Sequence, residues 1–243
     1  MNGESSLRSD LVKANRILAH EGILDALGHV SIRDPENAEH FIMSRMRSPE
    51  LVETTDLVEL NLDGSYVNPD GPKSYSERYI HAAVYAVHPA IMAVCHSHTV
   101  DILPFTISTS VRLQSVIHNA RFIGTGVDVW DIADEFGKDT NLLVQNLDQA
   151  RSLISALGNN PMILMRGHGC VVIGNELHRL VDNCVYMAKN ARVQVTATLM
   201  GSFTPLYPGE CEAAQAALLS ASVSGSNPHD RPWEYYTNRA GLA

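Results

Sequence analysis

The sequence predicts an α/β protein of three layers, a central and largely antiparallel sheet flanked by helices. Three observations carry this. Some stretches place apolar residues at helical spacing, others alternate apolar and polar residues, and the two kinds are interleaved without a regular βαβ repeat.

Taken in order, Leu7, Leu11, Val12, Ala14, Ile17 and Leu18 recur as on one helix face, and the helix runs to about Glu21 and stops at Gly22. His29-Val30-Ser31-Ile32-Arg33 alternates as a strand, Asp34-Pro35-Glu36-Asn37 supplies turn formers, and His40-Phe41-Ile42-Met43-Ser44 returns, which reads as a hairpin. A third strand, Leu57 to Leu62, meets the Asp63-Gly64 turn. Ser74-Tyr75-Ser76-Glu77 opens a helix that carries Ile80, Ala83, Val84 and Val87 to the stop at Pro89. The strand Ile91 to Cys95 follows. Pro104 and Gly124-Thr125-Gly126 bracket an irregular stretch, and Val129 to about Leu157 reads as helix in one or two pieces with a break near Gly137. Met162 to Met165 and Cys170 to Gly174 are short apolar strands. Helices over Leu177 to Met200 and Ala213 to Leu219 come next, and the tail from Ser224 is polar and turn-rich until Trp233, Tyr235 and Tyr236, which are expected to dock.

Composition sets limits on function. With 243 residues, 45% of them hydrophobic and 19% charged, the chain has the make-up of an ordinary globular protein, and the absence of a linker or repeat favours a single domain over residues 1–243. A net charge of −9 argues against nucleic acid and anionic membrane surfaces as partners. No apolar run approaches the ~20 residues of a membrane span, and Met1 to Asp10 lacks the apolar segment of a signal peptide, so the expected location is cytoplasmic. Cys95, Cys170, Cys184 and Cys211 form no CxxC pair, which points away from disulfides and thiolate zinc. Cys95 and Cys170 should face the core, opposite the histidines beside them.

The chemistry concentrates in Ala93-Val94-Cys95-His96-Ser97-His98-Thr99. In extended chain, His96 and His98 project from one face about 7 Å apart. An HxH pair alone is commonly two hydrogen-bonded histidines at a strand edge. His168, bracketed by Gly167 and Gly169 after another apolar run, shifts the balance toward a three-histidine metal site. Such a site leaves the ion's double positive charge available to an anion. Ser74 and Glu77 have the spacing of a capping box, while a carboxylate at a helix start can also move a proton; spacing does not decide between these. Arg45 and Arg47 lie two apart after a strand, suited to carboxylate capture or to a solvated basic edge. His29, His81 and His118 read as structural histidines.

These residues resemble the class II aldolase/adducin family. The matching pieces are Gly28-His29-Val30-Ser31, Ser76-Glu77, Cys95-His96-Ser97-His98, and Leu164 through His168-Gly169 to Gly174, in order over roughly residues 10 to 200. The resemblance implies the class II aldolase fold and a homotetramer with active sites at subunit interfaces; it does not say which residues a neighbour contributes, for which His118 and Tyr236 are candidates. It also implies one divalent ion per subunit held by His96, His98 and His168, with Glu77 as acid/base in addition to any capping role. Zinc, manganese, iron and cobalt all suit such ligands.

Where the family's sugar-phosphate aldolases hold phosphate with small polar groups and backbone amides, this chain has His29, Ser44-Arg45-Met46-Arg47 and Tyr75-Ser76. Met43-Ser44-Arg45, Arg47 to Val52 and Ser76-Glu77-Arg78 with Ile80-His81 are similar to a branch of metal-dependent decarboxylases that act on 3,4-dihydroxyphthalate or 3-hydroxy-2-methylpyridine-4,5-dicarboxylate. The resemblance therefore implies non-oxidative decarboxylation of a small anionic hydroxyaromatic or pyridine dicarboxylate, with Arg45, Arg47, His29, Ser76 and His81 around the substrate. An aldolase or epimerase of a sugar-phosphate-like substrate is the alternative. A non-catalytic adducin-like module is disfavoured, since adducin-type domains lack the metal histidines.

Overall fold

The computed structural model describes residues 2–223 and 227–243, so the start of the predicted polar tail at Ser224 lies outside the described residues. Seven strands form one sheet: β1 His29–Arg33, β2 His40–Ser44, β3 Leu57–Asn61, β4 Ala93–Ser97, β5 Val129–Trp130, β6 Met162–Met165 and β7 Gly169–Gly174. Their spatial order is β3-β2-β1-β4-β7-β6-β5. All neighbours pair antiparallel except β5 and β6, which run parallel at the edge. The helices are α1 Asn2–His20, α2 Arg78–Val87, α3 Leu103–Ile107, α4 Ala133–Phe136, α5 Leu147–Leu157, α6 Leu177–Met200, α7 Pro208–Val223 and α8 Asp230–Arg239.

The period-two alternation of the strands divides the core into two layers. Val30, Ile32, Ala93, Cys95, Cys170 and Val172 join the cluster that includes Leu11, Ile17 and Leu18 of α1 and Leu180 and Cys184 of α6. Phe41, Met43, Val94, Val171 and Ile173 join Ile80 and Val84 of α2 and Leu153 and Ile154 of α5. This is the expected sheet between two helical layers. Cys95 and Cys170 lie buried on the first face. His29, Ser31 and His96, being out of phase with them, face the α2 layer.

The stretch Val129 to Leu157 corrects the helical expectation. Val129 and Trp130 add a parallel strand beside Leu164 and Met165, and the Trp130 indole donates to Ser152 Oγ at 3.0 Å. The expected break is present at Gly137, with φ +82°, and Leu142, with φ +65°, keeps the chain out of a helix further on. α5 restarts at the Asn146 cap, which accepts the Gln149 amide at 3.0 Å. The intervening irregular chain reaches the site described below.

The C-terminal aromatic residues lie on α8. Trp233 stacks on His178 with ring centroids 4.0 Å apart, and Tyr236 is buried in the α6 layer. Tyr236 is thus a core residue and not available to a neighbouring subunit, in contrast to the expectation. Among the described residues no helix is long and apolar enough to cross a membrane.

Candidate metal centre

His96 stands in β4, against the start of β7. His98 lies just past the strand, and His168 sits in the three-residue loop between β6 and β7. Two glycines make that loop possible. Gly167 has φ +63°, and a Cβ on Gly169 would stand 2.2 Å from the Ser97 carbonyl oxygen, so only glycine lets β7 pass this close to the histidine-bearing strand.

The three rings converge. His96 Nε2 is 3.1 Å from His98 Nε2 and 3.4 Å from Glu77 Oε2, and His168 Nε2 is 3.7 Å from the same carboxylate oxygen. One ligand atom from each of the four residues lies within 4.8 Å of every other. His96 is fully buried and Glu77 nearly so.

The outer nitrogens determine what the inner ones offer. His96 Nδ1–H donates to the Cys170 carbonyl at 3.0 Å, His168 Nδ1–H donates to the Leu142 carbonyl at 2.9 Å, and His98 Nδ1 faces Asp25 Oδ1 at 3.4 Å. A neutral imidazole carries one proton, so each Nε2 presents a lone pair to the centre. Burial lowers the pKa of His98, and burial with the neighbouring His96 lowers His168 to about 4. Three inward lone pairs and a carboxylate with no proton to share repel one another unless a cation lies between them. The donor set therefore fits a divalent ion, with the outer acceptors orienting each ligand.

Glu77 departs from the capping-box expectation. It is itself the residue preceding α2, and its side chain caps nothing there. Ser74 Oγ instead donates to the Ser44 carbonyl at 2.7 Å, and Glu77 Oε1 accepts the Val144 amide at 3.1 Å. Burial raises the Glu77 pKa, while positive charge in the centre, carried by His96 and His168 when they are protonated, and the Val144 amide lower it to about 2. Glu77 is an ionised carboxylate turned into the centre.

The centre forms the floor of a cleft of about 710 Å³ whose walls include His29, Arg47, Tyr75, Ser76 and Leu142. Arg45 and His81 do not line it. Arg45 Nε donates to the buried carboxylate of Asp56 at 2.6 Å, and Arg47 Nη1 reaches the same Asp56 at 3.3 Å. Arg45 is thus an anchor for the loop, and Arg47 keeps one edge on Asp56 and another on the cleft. His81 is fully buried and hydrogen-bonded on both ring nitrogens, the partnered histidine that its residue environment alone suggested.

Sequence reasoning missed Asp25, Asp56, Leu142 and Val144. Asp25 is a lone acidic residue in a loop and Asp56 one at the end of the 3-10 turn Thr54–Asp56, and Leu142 and Val144 act through their main chains, where side-chain identity carries no signal. His118, named as a reach-over residue, is exposed and bonded to Asn119 Oδ1 at 3.1 Å.

The sheet order and the histidine–carboxylate centre define a class. The Class II Aldolase and Adducin N-terminal domain matches residues 9–195, and the chain belongs to that family. Within it, the chain is similar to Decarboxylase tropJ of Talaromyces stipitatus, with 35% identity over 225 residues, 88% of this chain and 77% of the relative. It is similar also to 3,4-dihydroxyphthalate decarboxylase of Arthrobacter keyseri, with 26% identity over 212 residues, 80% of this chain and 79% of the relative. An aldolase II superfamily protein from Pseudomonas syringae shares the fold at a TM-score of 0.79 and 19% identity, covering 99% of this chain and 94% of that one.

Proposed function

We propose that the protein is a divalent-metal-dependent, non-oxidative decarboxylase of a small hydroxylated aromatic or pyridine dicarboxylate, a carbon–carbon lyase of aromatic-compound or vitamin B6 breakdown. The observation that carries this reading is the meeting of His96, His98, His168 and Glu77 under a cleft walled by Arg47 and His29. The names of the two decarboxylase relatives support the reaction type.

His96, His98 and His168 would hold the ion, which when bound supplies Lewis-acid stabilisation for negative charge developing on the substrate. Glu77, held ionised, begins as a base and takes the proton of the ring hydroxyl. The bond from the ring to the leaving carboxylate then breaks, CO2 departs, and the electron pair remains on the ring carbon. Glu77 returns its proton to that carbon, and the ring oxygen regains one from solvent. Arg47 and His29 hold the second carboxylate, which decides the group that leaves, and Ser76 lies at the cleft's rim. Arg45 and His81 support the site from behind.

A homotetramer with the cleft at an interface is part of this reading. Its support is the exposed apolar surface of Leu27 and Met46, both in the cleft wall.

The test is a CO2-release screen over hydroxylated phthalates and pyridine dicarboxylates with zinc, manganese, iron and cobalt. Metal-dependent release supports the reading. No release, with robust condensation of dihydroxyacetone phosphate and lactaldehyde, overturns it in favour of an aldolase.

A further inference from the structure

Behind His29 a buried chain of hydrogen bonds runs across the α2 face of the sheet. His29 Nδ1 is 2.7 Å from His81 Nε2, His81 Nδ1 is 2.6 Å from Ser31 Oγ, and Ser31 Oγ is 2.8 Å from the Tyr85 hydroxyl. All four residues are 1% exposed or less. The chain joins β1, which supplies His29 and Ser31, to α2, which supplies His81 and Tyr85.

The direction of the protons along it follows from its closed end. Among the described residues, the one acceptor within reach of the Tyr85 proton is Ser31 Oγ. Pointing that proton elsewhere would leave a buried donor unpaired. Ser31, having accepted, sends its own proton to its other neighbour, His81 Nδ1. His81 then carries its proton on Nε2 and donates to His29 Nδ1. The remaining His29 proton lies on Nε2, which has no protein partner among the described residues and belongs to a ring on the cleft wall.

We propose that Tyr85, Ser31 and His81 are positioning residues that lock His29 in one tautomer, so that its Nε2–H is a fixed, neutral donor to a carboxylate of the substrate. The choice of carboxylate as ligand rests on the decarboxylase reading above. Two consequences separate this role from neighbouring ones. Although its ring centroid is 5.2 Å from that of His96, His29 is excluded as a metal ligand, because one nitrogen is protonated and the other is engaged. Residues that never touch the substrate also control its binding, because with Ser31 or Tyr85 truncated nothing specifies which His29 nitrogen carries the proton.

The experiment uses the full chain, zinc-loaded and labelled with 15N at histidine, and phthalate as an unreactive dicarboxylate probe. Wild-type His29 and His81 should both show the Nε2–H tautomer in long-range 1H–15N spectra. Ser31→Ala and Tyr85→Phe should each give a mixture at His29 and weaken phthalate binding by roughly tenfold, the scale of one hydrogen bond to a charged group, with zinc content unchanged. Tyr85→Phe removes one oxygen and serves if Ser31→Ala does not fold. An Nδ1–H tautomer at wild-type His29, failure of the wild type to bind phthalate, or variants with wild-type tautomer and affinity would each overturn the proposal. If phthalate binds as described but no dicarboxylate releases CO2, the relay stands and the decarboxylase reading falls.

Discussion

His96 Nε2 and His98 Nε2 lie 3.1 Å apart, and the Nδ1–H of His96 is already committed to the Cys170 carbonyl. Two lone pairs facing each other at that distance repel, a cation between them removes the repulsion, and this relationship underlies the first two predictions.

Adding zinc or manganese should stabilise the fold, because an ion that binds only the folded state contributes about 2.7 kcal/mol at a hundredfold excess over its dissociation constant. For a domain of this size that is a rise in Tm of roughly 5–10 °C. Differential scanning calorimetry with and without a chelator measures it, and His168→Ala should remove the shift.

His96→Ala should leave a folded protein with no bound metal and no activity. Far-ultraviolet circular dichroism reports the fold and elemental analysis the metal. Full metal content with retained activity would show that the centre lies elsewhere.

Arg47→Ala and Arg45→Ala should differ although the residues lie two apart. Arg47 borders the cleft, so its loss should raise KM by roughly tenfold or more while kcat changes less, as for an interaction made equally in the ground and transition states. Arg45 is held by Asp56 outside the cleft, so its loss should lower stability while KM stays nearer the wild-type value.

Asp56 gives a pH dependence. Burial would raise its carboxyl, but the Glu53 amide, Arg45 and Arg47 together hold it below the ordinary 3.8. A carboxyl whose folded pKa is depressed stabilises the protein above its unfolded pKa, and that contribution is lost as pH falls through the folded value. The stability difference between wild type and Asp56→Asn should therefore be full at neutral pH and shrink below about pH 4. Urea unfolding across that range tests it; a difference that grows with acid would contradict the assignment.

Gly169→Ala should be strongly destabilising, by about 1–3 kcal/mol or more for a forced core shift, since the new Cβ would stand 2.2 Å from the Ser97 carbonyl oxygen. Because β4 must yield, metal affinity should fall with stability; calorimetry and metal titration on the same sample test both.

Much of this was legible from residue order. The hairpin of His29–Arg33 and His40–Ser44 and the helix Leu177–Met200 have the bounds that alternation and helical spacing predict, because successive strand residues face opposite layers and a packed helix presents one apolar stripe. The burial of Cys95 and Cys170 opposite the metal side follows from the same alternation. The segment at Val129 was misread because two apolar residues suffice for a parallel edge strand, too few to show a period.

What the sequence determined by itself is which side chains have the chemistry: His96, His98, His168 and Glu77 carry ligand atoms wherever the chain puts them. Tertiary structure alone decided how those atoms are presented. The Leu142 carbonyl on His168, the Val144 amide on Glu77, and the Tyr85-Ser31-His81 chain behind His29 are contacts between segments distant in sequence, and Asp56 meets Arg45 and Arg47 only through the fold of the intervening turn. Several run through the main chain, which is the same at every residue. Proton position and charge in a buried site depend on such neighbours, so they exist only once the strands and helices have packed.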